Sequence, residues 1–128
     1  MSEKFIFEII TPERSILKIE TSEVVLPSFE GEIGILRDHI PLITFLRPGI
    51  IKITDENKKL FVEEGTVEFI NNNLLVLTST VKDLSDLNRN FLETMIREAE
   101  KNISKDKITD KEKYLLSYKI DTLKNINQ

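Results

Sequence analysis

The sequence predicts a mainly β protein with an α appendage: an N-terminal antiparallel β-sandwich over residues 1–84, then a C-terminal antiparallel two-helix hairpin over 85–128. Three observations carry this reading. All four glycines and all four prolines lie before residue 66, so the strongest helix breakers are confined to the first part of the chain. That part consists of short β-branched and aromatic runs separated by turn residues. The remainder carries apolar residues at intervals of three and four, the spacing of one helix face.

Strands are expected at 4–10, 16–20, 23–27, 33–36, 42–46, 50–54, 60–63, 67–70 and 74–80. Thr11 with Pro12, Glu30 with Gly31, Pro48 with Gly49, the stretch 55–59, Glu64 with Gly65, and 71–73 punctuate them. In the first strand Phe5, Phe7 and Ile9 alternate with Ile6, Glu8 and Ile10, so it is apolar on nearly both faces. One face therefore packs on the core and the other is free to meet a partner. The continuous run Leu74, Leu75, Val76, Leu77 has the same property, and its Asn and Thr flanks favour a strand.

From Asp86 onward, Leu92, Ile96, Ala99 and Ile103 form one stripe, with Glu93, Arg97, Glu100 and Lys101 elsewhere. A link over 104–108 follows. Thr109 is placed to cap a second helix, with Glu112 three residues on completing a capping box. Its apolar stripe is Leu116, Ile120, Leu123 and Ile126. Asp110 and Glu112 at its start and Lys119 and Lys124 toward its end suit the helix dipole. So short a link folds the two helices into an antiparallel hairpin.

At 128 residues the chain holds one domain or a small domain with an appendage, since domains commonly run roughly 100 to 150 residues. With 40% hydrophobic and 31% charged residues it has enough apolar material for a core. A net charge of −4, with cations interspersed among acids, argues against nucleic acid as a partner. The absence of cysteine excludes disulfides, thiolate nucleophiles and Cys-based metal sites. Met1 to Lys4 lead straight into Phe5, without the pattern of a signal peptide, and no apolar run approaches the roughly 20 residues of a membrane span. Any membrane association is expected to go through partners.

The residues Glu30, Gly31, Glu32, Ile33, Gly34, Ile35, Leu36, then His39, Pro41, Leu42, and finally Leu46, Pro48, Gly49, Ile50, together resemble the signature of the ATP synthase epsilon subunit family. Thr11, Pro12, Glu13 and Arg14 are similar to that family's first hairpin. The resemblance implies a non-catalytic rotor component whose sandwich binds the γ subunit and rests on the c-ring. It also implies a helical pair that lies folded on the sandwich or extends into the catalytic head to inhibit ATP hydrolysis. Partner contacts carried over are Glu30, Gly31, Glu32, His39, Pro41 and Leu42 toward γ or the polar loops of the c-ring. Lys111, Lys113, Lys119 and Lys124 are carried over toward an acidic loop of the β subunit.

Asp86 and Arg89 match in part the Asp-x-x-Arg motif with which some relatives bind ATP. Ser85 and Asn90 depart from its flanks, and an exposed ion pair on one helix face is the favoured account of the spacing, leaving Asp86 and Arg89 as weak ATP candidates. Glu64 stands where the family usually has the first of two glycines, and it is strained if that position needs a positive φ. His39 is the only histidine, with no accompanying metal ligands or substrate pocket in view, which favours a structural or interface role. Glu30 and Glu32, two residues apart across a glycine turn, point to solvent or to a partner loop more than to paired acid–base work. No catalytic residue, metal or cofactor is expected.

A β-sandwich enzyme lacks its nucleophile, base and oxyanion site. A β-sandwich adaptor with a partner-binding hairpin, unrelated to ATP synthase, is the alternative, and it leaves the Glu30 to Gly49 signature unexplained. The expected location is peripheral, on the cytoplasmic face of the inner (plasma) membrane, with the stromal face of a plastid thylakoid as the alternative.

Overall fold

Alternation places Phe5, Phe7 and Ile9 of the first strand on the inside, and the same rule repeated along the chain builds a sandwich around them. The computed structural model describes residues 3–126; the outermost residues of the two predicted units, 1–2 and 127–128, lie outside this range. The strands are β1 (Phe5–Ile10), β2 (Ser15–Thr21), β3 (Glu23–Ser28), β4 (Gly31–Leu36) and β5 (Leu42–Leu46), followed by β6 (Gly49–Ile53), β7 (Lys58–Val62), β8 (Gly65–Ile70), β9 (Asn73–Leu77) and β10 (Val81–Asp83). One layer runs β2-β1-β9-β8-β5 and the other β10-β7-β6-β3-β4; β3 and β5 join them where Ser28 pairs with Leu46. Every pairing is antiparallel except β1 with β9. Phe7, Ile9, Leu26, Ile35, Ile51 and Phe69 are among the side chains sealed between the layers.

Several boundaries differ from the sequence reading, β4 and β8 among them, which begin at Gly31 and Gly65, two residues earlier than expected. The predicted strand 74–80 ends at Leu77, because Thr78 bonds sideways: its hydroxyl donates to Glu64 O (2.6 Å) and accepts from Thr80 N (3.1 Å). The chain then crosses to the other layer, where Val81–Asp83 pairs with β7, a short strand that composition did not reveal. β7 itself starts at Lys58, earlier than expected, because Asn57 closes the preceding turn with φ +49°. The first helix, α1 (Arg89–Ile103), starts three residues after Asp86, which sits in a 3-10 turn, Leu84–Asp86. Asn88 is its N-cap, accepting from Phe91 N at 2.8 Å.

The predicted capping box of the second helix, α2 (Asp110–Ile126), is present: Glu112 N donates to Thr109 Oγ1 (3.1 Å) and Thr109 N donates to Glu112 Oε1 (3.2 Å). The hairpin lies folded on the outer surface of β6 and β7. Phe61 from β7, Leu92 from α1 and Leu123 from α2 are fully buried against one another, flanked by Ile50, Leu84, Leu87 and Ile96. Of the predicted helix stripes, Leu92, Ala99, Ile120 and Leu123 are buried and Ile96, Ile103, Leu116 and Ile126 half-buried.

Glu64 is not strained. Among the described residues, positive φ in non-glycine positions occurs only at Asp38, Asn57, Asn71 and Asn72. Glycine is needed at the next position for space: a Cβ on Gly65 would lie 2.8 Å from Leu77 O.

Candidate functional site

The turn between β3 and β4 is set by Ser28, whose hydroxyl donates to Gly31 O (2.7 Å) and accepts from Glu30 N (3.1 Å). Gly31 has φ +117°, open to glycine and strained for other residues. Glu30 accepts from Thr44 Oγ1 at 3.0 Å, and Glu32, in solvent, lies 3.8 Å from Lys52 Nζ. The two carboxylates thus face different neighbours and do not share a proton or a cation.

His39, Pro41 and Leu42 lie at the other end of β4, roughly 20 Å along a six-residue strand. Their loop is clamped to the β8–β9 turn: Asp38 N donates to Asn72 Oδ1 (2.7 Å) and Asn72 Nδ2 donates to Asp38 Oδ1 (2.9 Å). Asp38, Asn71 and Asn72 all take left-handed backbone, which Asn and Asp tolerate best after glycine. The His39 ring meets Phe69 edge-on at 5.9 Å, and its Nδ1 lies 2.8 Å from Ile40 O; since a carbonyl only accepts, Nδ1 carries the proton. The structure therefore separates the six carried-over sandwich residues into two groups at opposite ends of the sandwich.

Beside the His39 group is a surface that the sequence reading only partly caught. On the outer face of β5, Ile43 and Phe45 are 70% and 57% exposed, and Ile40 in the preceding loop is 74% exposed. Ile70 of β8, Leu77 of β9 and Ile6 of β1 continue this face. Contiguous exposed apolar side chains of this number mark an interaction surface. β1 and the 74–77 run showed the signal in their two-sided apolarity; in β5 the same signal was present in Leu42, Ile43, Phe45 and Leu46.

On the helices, Lys111 and Lys113 are exposed at the start of α2. Lys119 Nζ instead reaches the sandwich, 2.7 Å from Glu63 Oε1, with both side chains more than two-thirds covered; Lys124 lies 3.3 Å from Glu100 of α1. An aromatic ladder adds to the contact: Phe29 of the β3–β4 turn stacks on Tyr114 (5.9 Å, 12°), Tyr114 meets Tyr118 edge-on (4.9 Å), and Arg47 lies 4.0 Å over the Tyr118 ring.

Asp86 and Arg89 do not share a helix face as the spacing suggested, since Asp86 precedes the helix. Arg89 pairs with Glu93 at 3.7 Å. Asp86 lines a cleft of about 500 Å³ together with Lys58, Lys82, Asp83 and Phe91. Lys58 is 3.4 Å from Asp83, and Lys82 lies over Phe91, so the cleft has no surplus of positive charge for a triphosphate. Among the described residues no cluster of three or more His, Cys, Asp or Glu is placed to hold a metal ion, and no helix is long and apolar enough to cross a membrane.

The profile described as ATP synthase, Delta/Epsilon chain, β-sandwich domain, matches residues 4–83, which are the strands just described. An ATP synthase epsilon chain of Pelagibacter ubique (strain HTCC1062) is 49% identical over 130 residues, covering 99% of this chain and 100% of that one. This chain belongs to the ATP synthase delta/epsilon family. The epsilon chain of Parvibaculum lavamentivorans is 35% identical, covering 98% of this chain and 97% of its own length.

Two solved structures share the fold. A chain of the Euglena gracilis mitochondrial ATP synthase (OSCP/F1/c-ring) superposes with a TM-score of 0.82 at 18% identity, covering 98% of this chain and 82% of that one. One of the Tetrahymena thermophila central stalk and c-ring gives 0.67 at 16% identity, covering 98% and 96%. As an epsilon chain, the protein is a non-catalytic subunit of ATP synthase, which overtakes the unrelated-adaptor alternative.

Proposed function

We propose that this epsilon chain turns with the central stalk, its sandwich docked on the γ subunit through the outer face of β5, β8, β9 and β1, and its hairpin serving as a brake on ATP hydrolysis. The observation that carries the proposal is the exposed apolar face around Ile40, Ile43 and Phe45, supported by the fold shared with a chain of a solved ATP synthase central stalk and c-ring. Glu30, Gly31 and Glu32, at the far end of β4, then face the polar loops of the c-ring, while His39, Pro41 and Leu42 border the γ contact.

Residues 1–84 form the docking unit and 85–128 the regulatory one. In the folded arrangement the hairpin is stored on β6 and β7. On extension the basic side of α2, Lys111, Lys113, Lys119 and Lys124, meets an acidic loop of the β subunit. The subunit sits peripherally on the cytoplasmic face of the inner (plasma) membrane, held there by its partners, with no cofactor of its own.

Co-purification of the full chain with γ at micromolar concentration tests the docking. Wild type is expected to bind, and the double substitution Ile43→Asp, Phe45→Asp to lose binding while melting like wild type. Undiminished binding by the double variant would move the contact elsewhere.

A further inference from the structure

The apolar docking face has a carboxylate near its centre. Strand register places Glu68 of β8 directly between Ile43 of β5 and Leu75 of β9, with Thr66 and Ile70 two residues away on its own strand. Phe45 and Leu77 lie one row along, paired across Thr66. Glu68 is exposed and, among the described residues, has no hydrogen-bond or ion-pair partner. The other acid in the same row is provided for: Glu8 of β1 accepts from Ser15 Oγ at 2.9 Å and has Lys18 as its cross-strand neighbour.

Covering this face removes water from its apolar ring and, with it, from Glu68. A carboxylate stripped of water without a counter-charge opposes association, whereas a hydrogen-bonded cation opposite it restores the lost solvation and fixes orientation. We infer that the docking surface of γ presents an Arg or Lys side chain to Glu68, and that this ion pair sets the register in which the otherwise non-directional apolar face is bound. Ile43, Phe45 and Leu77 supply area but can slide, since apolar contact has no directional preference. The Asp38–Asn72 clamp keeps the Ile40 loop in place at the border of the same face, so the pair forms against a preset surface. The inference rests on the γ-docking reading above.

Binding of the full-length chain to γ, measured by isothermal titration at low and at physiological salt, tests it with Glu68→Gln, Glu68→Lys and Ile43→Asp. Glu68→Gln keeps the shape and removes the charge, and it is expected to weaken binding about tenfold or more and to flatten the salt dependence. Glu68→Lys places like charges together and is expected to weaken it about a hundredfold or more. Position 68 faces water in the free protein, so both variants fold, which circular dichroism checks. If Glu68→Gln binds as tightly as wild type or more tightly while Ile43→Asp is weakened, the face is right and the cation is absent: Glu68 then only keeps the face soluble. If Ile43→Asp binds like wild type, the face itself is wrong and the docking reading falls with the inference, whatever the Glu68 variants do.

Discussion

Substituting Leu123 by Ala is expected to release the helical hairpin while leaving the sandwich intact. Leu123 is fully buried between Phe61 of β7 and Leu92 of α1, in a cluster separate from the sandwich core. Phe61 is anchored in a paired strand and cannot close over the space left behind, so the cavity persists and the loss is about 3 kcal/mol or more. That is larger than the roughly 1 kcal/mol expected from the Lys119–Glu63 pair, whose side chains keep 22% and 29% exposure. A loss of about 3 kcal/mol raises the released population by more than about a hundredfold. Hydrogen exchange read residue by residue is the assay. Amides of α2 should lose protection by that factor, and those of β1, β8 and β9, whose inward side chains pack only in the other cluster, should not change. Parallel loss of protection in helices and strands would show one cooperative unit and refute the separation of the two clusters; no loss in α2 would show that Leu123 does not hold the hairpin.

Truncation after Leu84 is expected to leave a folded sandwich that still binds γ, and to raise ATP hydrolysis by the assembled enzyme; unchanged hydrolysis with the truncated chain confirmed in the complex would exclude a brake. The isolated protein should bind ATP with a dissociation constant no tighter than about a millimolar by titration calorimetry with magnesium, because Arg89 is engaged by Glu93 and Lys58 by Asp83. A tighter constant that is lost in Arg89→Ala would contradict this. Acid stability offers a further check through Glu64: partial burial pushes its carboxyl up, but hydrogen bonds from the Ser79 hydroxyl and N–H and from Thr78 together outweigh this and hold it below the ordinary 4.5. A depressed carboxyl stabilises the fold above its unfolded pKa, and that contribution fades as the pH falls through the folded value. Thermal melts between pH 7 and pH 3 should therefore show a shallower acid decline for Glu64→Gln than for wild type, from a lower starting point at pH 7.

The strands were legible because period-two alternation records which face is buried, and the second helix because Thr109 and Glu112 spell out its start. What escaped the sequence was decided by side chains bonding to backbone at a distance. Thr78 ends a strand that its β-branched neighbours would have continued, since its hydroxyl meets Glu64 O, fourteen residues earlier. Asn88 caps the first helix, but Asp86 with the downstream stripe suggested an earlier start. The candidate site was less legible than the fold. Glu30 and His39 stand nine positions apart in a signature that reads as continuous, whereas a strand holds them at opposite ends. The exposed apolar face was visible only in part, because an exposed Ile43 and a half-buried Leu42 look alike until the pleat assigns them to opposite sides.

The folded hairpin also makes the four lysines of α2 unequal. Under the proposed brake, Lys119 cannot hold Glu63 and a β-subunit loop at once, so extending the hairpin would first break a contact of 2.7 Å. A charge reversal there would act in two opposing ways: it sets Glu against Glu63, loosening the folded form, and it would spoil the contact proposed for the extended one. Reversing Lys111 and Lys113 alone, which the sandwich leaves in solvent, changes only the second of these. On that proposal the folded form withholds one of its own grips, and a mutant series that treats the basic face as a single charge would blend a spring with a hook.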